Sequence, residues 1–337
     1  MGLCEKWVPL SSFEDLLLHL NNAKDEVVAE PGYRFFYLNE GYALLGIIIE
    51  RISRMPYESY VRDKILKPLK MDRSTFLKEE YEKDEDVMTP YLVEKKDGTL
   101  TATPTVHPLQ RLSNPAGGLM SSVRELTTYL IANMNHGTFG DAKLLDTGLM
   151  QEMYKPYIDT NFMTLFGKSW YGYGWGVMDD FFGHVLINHS GSTVASSANL
   201  SFLPDMNVGV AYACNIGWGE LVQQVPYVSL ALLMGKDPFK EIPVLEVEKK
   251  MAMLVGEYAT YKGIAKASVV RKSGLLFIES NEKGDEFSFA LIPESDKLEN
   301  LKFYAPIAGG RIAAEFVVEA SGKVDLYFER NRYHKIK

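Results

Sequence analysis

Cysteine is scarce in this 337-residue chain, which holds only Cys4 and Cys214. Two widely separated cysteines provide neither a disulfide framework nor the clustered ligands of a zinc site. A His-Glu-x-x-His motif is also absent from the sequence. Because no other pattern calls for one, we expect neither a metal nor an organic cofactor.

Long apolar runs are lacking as well. The nearest candidate, residues 43–49, ends at Glu50 and Arg51, far short of the about 20 apolar residues that a membrane helix needs. The first ten residues, MGLCEKWVPL, have neither the basic start nor the apolar core of a signal peptide. We therefore expect no membrane partner and a cytoplasmic location.

The chain also lacks a surplus of positive charge. The net charge is −8, and residues 243–337 are nearly neutral, with 15 Lys and Arg against 14 Asp and Glu. Residues 1–242 hold the remaining 21 basic and 30 acidic side chains. Nucleic-acid binding depends on basic surfaces, so nucleic acid is excluded as the expected partner.

Helix signals are frequent in the first 242 residues. Ser12 and Asp15 form a capping-box pattern before leucines at helical spacing. A second helix is predicted from Asn39, as N-cap, to Ser53, and a third from Tyr57 to Lys67, before Pro68. Further helices are predicted over 123–134 and 226–234, with Asn114–Gly118 as a loop.

Strand signals occupy the rest of the chain. The glycine-alternating segment Tyr171–Val177 predicts one strand, followed by strands at 184–188, 198–202 and 208–214. From about Met251, short β-rich runs separated by turn residues predict an antiparallel barrel or sandwich. We place a domain boundary in Lys236–Pro243, which gives domains 1–242 and 243–337 and an α+β fold class.

Two short motifs carry chemistry. Tyr37-Leu38-Asn39 opens a helix, and Asn188-His189-Ser190-Gly191-Ser192 ends a strand. Alone, Tyr37 would be read as an amphipathic boundary residue, Asn39 as a helix cap and His189 as a strand histidine. Their order and flanking residues favour a shared site.

The segments around both motifs resemble the penicillin-binding-protein and serine β-lactamase superfamily, specifically its β-lactamase-related esterase and D-amino-acid peptidase branch. Tyr37-Leu38-Asn39 resembles the Y-x-N box, and His189-Ser190-Gly191 resembles the third box in its H-x-G form. Other matching segments are Gly41-Tyr42, Pro68-Leu69 and Ala116–Ser122. The resemblance covers roughly Val8 to Gly235 and implies a β-lactamase/transpeptidase-like domain, with an antiparallel sheet flanked by helices. The tail resembles a lipocalin-like barrel.

The resemblance also implies site roles. Acyl transfer needs a nucleophile, a base and oxyanion donors. In the family, Tyr37 would move the nucleophile's proton, Asn39 would hold the lysine and the substrate amide, and His189 would add a titratable group. Ser190, Gly191 and Ser192 would bind the substrate along an edge strand.

The family nucleophile motif, Ser-x-x-Lys, has only one match, Ser280–Lys283, at a predicted hairpin of the tail. We treat this match as coincidental. We expect the chain to begin inside the family domain, after the nucleophile helix, and to be inactive as it stands.

Two functions follow from these observations. The first is a β-lactamase-related serine hydrolase of an ester, peptide, amide or β-lactam, truncated in this chain. The second is a non-catalytic remnant of the family that binds a ligand or serves as an assembly module. Because truncation would expose an apolar sheet edge, we also expect low stability or a homo-oligomer.

Overall fold

A computed structural model describes residues 12–27, 29–96, 99–107, 110–164, 166–217, 224–282 and 286–337. The chain separates into two compact units, Met1–Met234 and Gly235–Lys337. The domain limits expected from the sequence, 1–242 and 243–337, stay a prediction.

The first helices of unit 1 follow the sequence signals closely. Helix α1 spans Phe13–Asn22, and Ser12 and Asp15 form the predicted capping box. Helix α2 spans Asn39–Ser53, as expected, but its N-cap is Leu38, which has an extended backbone and no side-chain cap bond. The predicted N-cap role of Asn39 is therefore wrong, because Asn39 is already the first helical residue.

Short helices continue unit 1. Helix α3, Tyr57–Val61, runs on as a π-helical turn over Arg62–Leu66. The segment predicted as a loop at Asn114–Gly118 contains helix α5 instead, since Pro115 suits a first helical turn. The bounds in chain order are α4 Lys78–Tyr81, α5 Asn114–Gly117, α6 Val123–Met134, α7 Thr147–Met153 and α8 Val225–Leu233.

An antiparallel six-stranded sheet forms the centre of unit 1, in the order β10-β9-β8-β7-β6-β5. Two hairpins precede it, β1-β2 and β3-β4. The bounds are β1 Tyr91–Lys96, β2 Thr99–Pro104, β3 Thr138–Phe139, β4 Ala142–Lys143, β5 Ile158–Thr164, β6 Gly167–Tyr171, β7 Gly176–Phe181, β8 His184–Ser192, β9 Ser197–Leu203 and β10 Val208–Cys214.

The segment predicted as one strand over Tyr171–Val177 is instead a hairpin. Strand β6 ends at Tyr171, and Tyr171 pairs with Gly176 at the start of β7. The Gly172 N–H donates to the Trp175 carbonyl at 2.7 Å, and Gly174 has a φ of +78°. Glycine adopts this left-handed backbone without steric cost, so the chain can reverse there.

The sheet packs against helix α6 through a buried aromatic cluster. Trp175 and Phe202 meet edge to face at 5.5 Å between ring centroids, and both contact Tyr154. Leu130 of α6 is buried in the same cluster. This packing fixes the strands that carry the second motif.

Unit 2 contains two helices followed by a closed antiparallel barrel of eight strands, β11 to β18. The barrel closes where β11 pairs with β18, and the expectation of an antiparallel barrel is confirmed. The bounds are α9 Pro238–Glu241, α10 Pro243–Leu254, β11 Gly256–Ala259, β12 Lys266–Lys272, β13 Leu275–Ser280, β14 Phe287–Pro293, β15 Lys302–Ile307, β16 Gly310–Val318, β17 Val324–Phe328 and β18 Asn331–Lys335.

Inward-facing residues of every barrel strand form one continuous core with helix α10. Tyr258 is fully buried in it, and its hydroxyl donates to the Leu254 carbonyl at the end of α10 at 2.6 Å. Across all the ranges given above, no helix is long and apolar enough to span a bilayer.

Candidate active site

One large groove in unit 1, of about 2330 Å³, is lined by all six residues singled out from the sequence. They come from two distant segments, the start of α2 and the end of β8: Tyr37, Asn39, His189, Ser190, Gly191 and Ser192. The fold therefore brings the two motifs together on one surface. The catalytic and binding roles of these residues remain predictions.

Tyr37 stands at the mouth of the groove, just before helix α2. Its side chain is 55% exposed, and its ring centroid lies 6.5 Å from that of His189. Partial desolvation, followed by the neighbouring Tyr42, raises the pKa of Tyr37 above its ordinary value. Within this groove Tyr37 is therefore a neutral phenol at neutral pH, able to donate a proton or a hydrogen bond.

His189 lies near the end of β8, where the strand extends beyond its neighbour. Strand β8 is not the edge strand expected from the sequence, because it lies between β7 and β9. The ladder to β7 ends at Asn188, however, while the ladder to β9 continues to Ser192. Residues 189–192 thus have one strand neighbour among the described residues, and a hypothetical Cβ on Gly191 meets nothing within 4 Å. An extended ligand could lie alongside this stretch.

Tyr171 lines the groove, although its sequence context predicts only an aromatic of the sheet or of a cleft wall, without a catalytic role. Its hydroxyl lies 3.0 Å from Nε2 of His189. Its ring meets that of Tyr37 edge to face, with 6.3 Å between the centroids, and contacts Phe35 at 5.3 Å. Tyr171 therefore touches both motifs. Only its place in an aromatic-rich glycine segment could have drawn attention to it.

Burial sets the protonation of this cluster. Desolvation lowers the pKa of His189 below its ordinary value, although a hydrogen bond to the Ser190 backbone opposes this shift. Burial, with contributions from Tyr42 and Tyr37, raises the pKa of Tyr171. At neutral pH the cluster is a neutral imidazole among neutral phenols, an arrangement that can pass protons but carries no net charge.

The glycine-rich segment before α6 forms another wall of the groove. There the Ser121 hydroxyl lies 2.6 Å from that of Ser74, which in turn donates to Glu125 at 2.6 Å. Glu125 also accepts the backbone N–H of Arg73. These hydroxyls are thus engaged in linking α6 to the preceding loop, and we assign them no reactive role.

Two further sequence expectations concern positions outside the groove. Ser280, the serine of the single Ser-x-x-Lys match, is buried at the end of β13 in unit 2, and Lys283 lies outside the described residues. No group of three His, Cys, Asp or Glu side chains suited to a metal occurs among the residues that the structure describes.

Comparison with known families gives two matches. The Beta-lactamase family matches residues 18–225, and the Pab87 octamerisation domain matches residues 238–334. Among characterised sequences, Protein flp of Staphylococcus aureus (strain MW2) is 27% identical over 222 residues, which is 63% of this chain and 39% of that protein. The chain thus covers about two fifths of the length of this relative.

Solved structures extend the similarity to both units. The octameric penicillin-binding protein homologue from Pyrococcus abyssi is 35% identical, with a TM-score of 0.82, and the match covers 98% of this chain and 72% of that one. A class C beta-lactamase matches with a TM-score of 0.52 at 19% identity, over 66% of this chain and 63% of that one. This second match supports the fold alone.

Proposed function

Because this chain belongs to the beta-lactamase family, we propose that its groove is the acyl-transfer site of a serine hydrolase. The substrate would be an ester, a small peptide or amide, or a β-lactam. The observation that carries the proposal is the convergence of the Tyr37–Asn39 and His189–Ser192 segments in one groove. Acyl transfer needs this combination of proton-transfer groups beside an open strand edge.

In this proposal each residue acts through its position. With a serine nucleophile present, the Tyr37 phenol would pass a proton from the attacking hydroxyl to the leaving group, and the neutral His189 would lie beside it. Asn39, at the start of α2, orients the substrate amide. The backbone of Ser190–Ser192 pairs with the acyl chain and supplies an oxyanion donor.

The nucleophile is the part that the groove residues of this chain do not supply. Acyl-enzyme formation requires a serine with a base beside it, and the sequence offers no Ser-x-x-Lys in unit 1. We therefore propose that the chain with this sequence binds such substrates in the groove without turning them over.

Binding and turnover can be tested separately. The chain is mixed with nitrocefin and with p-nitrophenyl acetate, and both hydrolysis and non-covalent binding are measured, the latter by saturation-transfer NMR. We expect binding that weakens in Gly191→Val, because a branched side chain would stand beside the open strand. Gly310→Val, at the start of β16 in unit 2, serves as the control, because a Cβ there also meets nothing within 4 Å and its backbone φ is not positive. Absence of binding to any acyl compound would contradict the proposal.

A second function, as a purely structural or assembly module, is favoured by the missing Ser-x-x-Lys. The two functions differ in one observable. A fluorescent penicillin would compete with non-covalent ligands at the groove of a hydrolase-derived site, whereas a module without a functional groove would show no competition.

We also propose that the chain forms a homo-oligomer through its barrel unit. Support comes from the match of residues 238–334 to an octamerisation domain and from the octameric relative. Several apolar side chains are exposed on unit 2, including Tyr261 at 71% and Ile264 at 80%. Exposed apolar surface of this kind commonly marks an interface.

Light scattering coupled to size exclusion tests this assembly. We expect a mass several times the 38.0 kDa of one chain. Replacing Tyr261 and Ile264 by glutamate should lower the mass, whereas the same change at Leu100 and Val106, exposed in unit 1, should not. A monomer at all concentrations, or dissociation only in the unit 1 variant, would contradict assembly through the barrel.

A further inference from the structure

Glu40 is a buried carboxyl group in the groove wall with no partner. The residue is 6% exposed, and neither Oε1 nor Oε2 has a hydrogen-bond partner among the described residues. It follows Asn39 directly on helix α2 and lines the same groove. Native proteins rarely leave such a group unpaired, because the desolvation of a carboxylate is costly unless another group compensates it.

The surroundings of Glu40 make the missing partner more conspicuous. Ala43, one helical turn later on α2, is buried in one apolar cluster with Leu16 of α1, and both residues line the groove. Both carboxyl oxygens of Glu40 are themselves buried. Because Glu40 lines the groove, the groove is the route by which we expect a ligand to reach them.

Three basic side chains of the groove, those of Arg62, Lys67 and Arg73, are engaged elsewhere. Arg62 and Lys67 both pair with Asp63. Arg73 holds Asp84 at 2.7 Å and Asp86 at 3.2 Å. None of them donates to Glu40, whose oxygens remain without a bond.

Two other buried polar groups of the groove wall also lack a hydrogen-bond partner within the described part of the chain. Asn188 Nδ2 and Ser197 Oγ have no hydrogen-bond partner among the described residues, and both residues line the groove. Three unsatisfied polar side chains in one groove indicate a wall built to receive a polar ligand.

We propose that the groove wall at Glu40 is a binding site for a cationic nitrogen group, a primary ammonium or a guanidinium. A cation is the partner that best compensates a buried carboxylate, because it supplies both charge and donors. The site goes beyond the proposed acyl transfer, since it needs no nucleophile. The cation could belong to a free amine or to a basic side chain of a polypeptide segment in the groove.

The first arm of the test uses a small amine. Chain labelled with ¹³C at the glutamate carboxyl is titrated with n-butylammonium chloride and, separately, with 1-butanol, its neutral counterpart. The Glu40 signal is identified by its loss in Glu40→Gln. We expect saturable shifts of this signal with the ammonium ion only. Asp72→Asn, which removes an exposed carboxylate from the same groove, should bind butylammonium as the unmodified chain does.

The second arm uses a polypeptide source of the same group. A helical alanine-leucine peptide of about 14 residues, roughly 21 Å long, carries one central lysine, and its matched peptide carries norleucine. If the cation comes from a polypeptide, the lysine peptide should bind at least about tenfold more tightly than the norleucine peptide. This is the difference in affinity expected for one charge-assisted hydrogen bond. This preference should disappear in Glu40→Gln.

The overturning results are specific. If butanol shifts the Glu40 signal as strongly as butylammonium, or if neither the amine nor the lysine peptide shifts it, the site does not recognise a cation.

Thermal melting adds a check that needs no probe. We expect Glu40→Gln and Glu40→Met to melt higher than the unmodified chain, because each removes an unpaired carboxyl group. Lower melting of both would show that Glu40 already has a partner and would overturn the proposal.

Discussion

The Tyr171 hydroxyl lies 3.0 Å from Nε2 of His189 and joins strand β6 to strand β8 across the groove. This bond couples a residue of no predicted catalytic role to the histidine of the second motif. The same bond holds the His189 ring in position against the Tyr171 ring, which it meets edge to face.

Replacing Tyr171 by phenylalanine removes that bond. We assign the phenol as the donor and Nε2 of the neutral ring as the acceptor, a bond that stabilises the uncharged imidazole, so we expect the pKa of His189 to rise when it is lost. The free energy of unfolding should fall by about 0.5–1.5 kcal/mol. ¹⁵N NMR of the imidazole and urea denaturation measure the two effects. Tyr33→Phe, at a position 77% exposed, is the control and should change neither.

Stability should depend on pH through His189. Its pKa is lowered in the folded chain, so the unfolded chain binds more protons as the pH falls below the ordinary histidine value of about 6.5. The histidine therefore destabilises the fold progressively as pH falls from that value toward the folded pKa. Desolvation also lowers the pKa of His107, so only part of the effect belongs to His189. Between pH values of about 7.5 and 5.5, His189→Gln should lose less stability than the unmodified chain. An equal loss in both would contradict this assignment.

Two glycines of helix α2 should respond oppositely to alanine. A Cβ on Gly46 would lie 2.2 Å from Pro115 Cγ, whereas one on Gly41 would be no closer than 3.8 Å to Leu38. Gly46→Ala should cost about 1–3 kcal/mol through overpacking. Gly41→Ala should be neutral or stabilising by about 0.4–1 kcal/mol, because alanine reduces the entropy of the unfolded chain. Chemical denaturation of both variants checks the pair, and equal effects would show that the α2–α5 contact is looser than the structure indicates.

In the barrel, one buried and one exposed tyrosine should respond differently to loss of the hydroxyl group. Tyr258→Phe leaves the Leu254 carbonyl without its donor in a fully buried position and should cost about 1–3 kcal/mol. Tyr327→Phe, at a position 42% exposed on β17, should stay within about 0.5 kcal/mol of the unmodified chain. Thermal unfolding followed by near-ultraviolet circular dichroism reports both, and a neutral Tyr258→Phe would show that water replaces the lost donor.

Local sequence patterns determined several elements directly. The Ser12 capping box and the apolar spacing of α2 specify helices through contacts within one or two turns, so they can be read without tertiary information. The short β-rich runs after Met251 predicted an antiparallel barrel or sandwich for a similar reason, and the pairing of β11 with β18 decided for the barrel. The Tyr37 and His189 motifs stood out because their flanking residues match a family pattern.

Tertiary structure decided the rest, because the relevant partners are distant in sequence. Whether Tyr171–Val177 is a strand or a hairpin depended on the left-handed backbone at Gly174, and the bond from Tyr171 to His189 depended on that hairpin. Glu40 is ordinary in sequence, since an acidic residue suits the first turn of any helix. Only its burial in the groove wall, without a hydrogen-bond partner among the described residues, supports the binding role that we propose for it. Local backbone preferences thus set the elements, and the packing of distant segments set the chemistry of the groove.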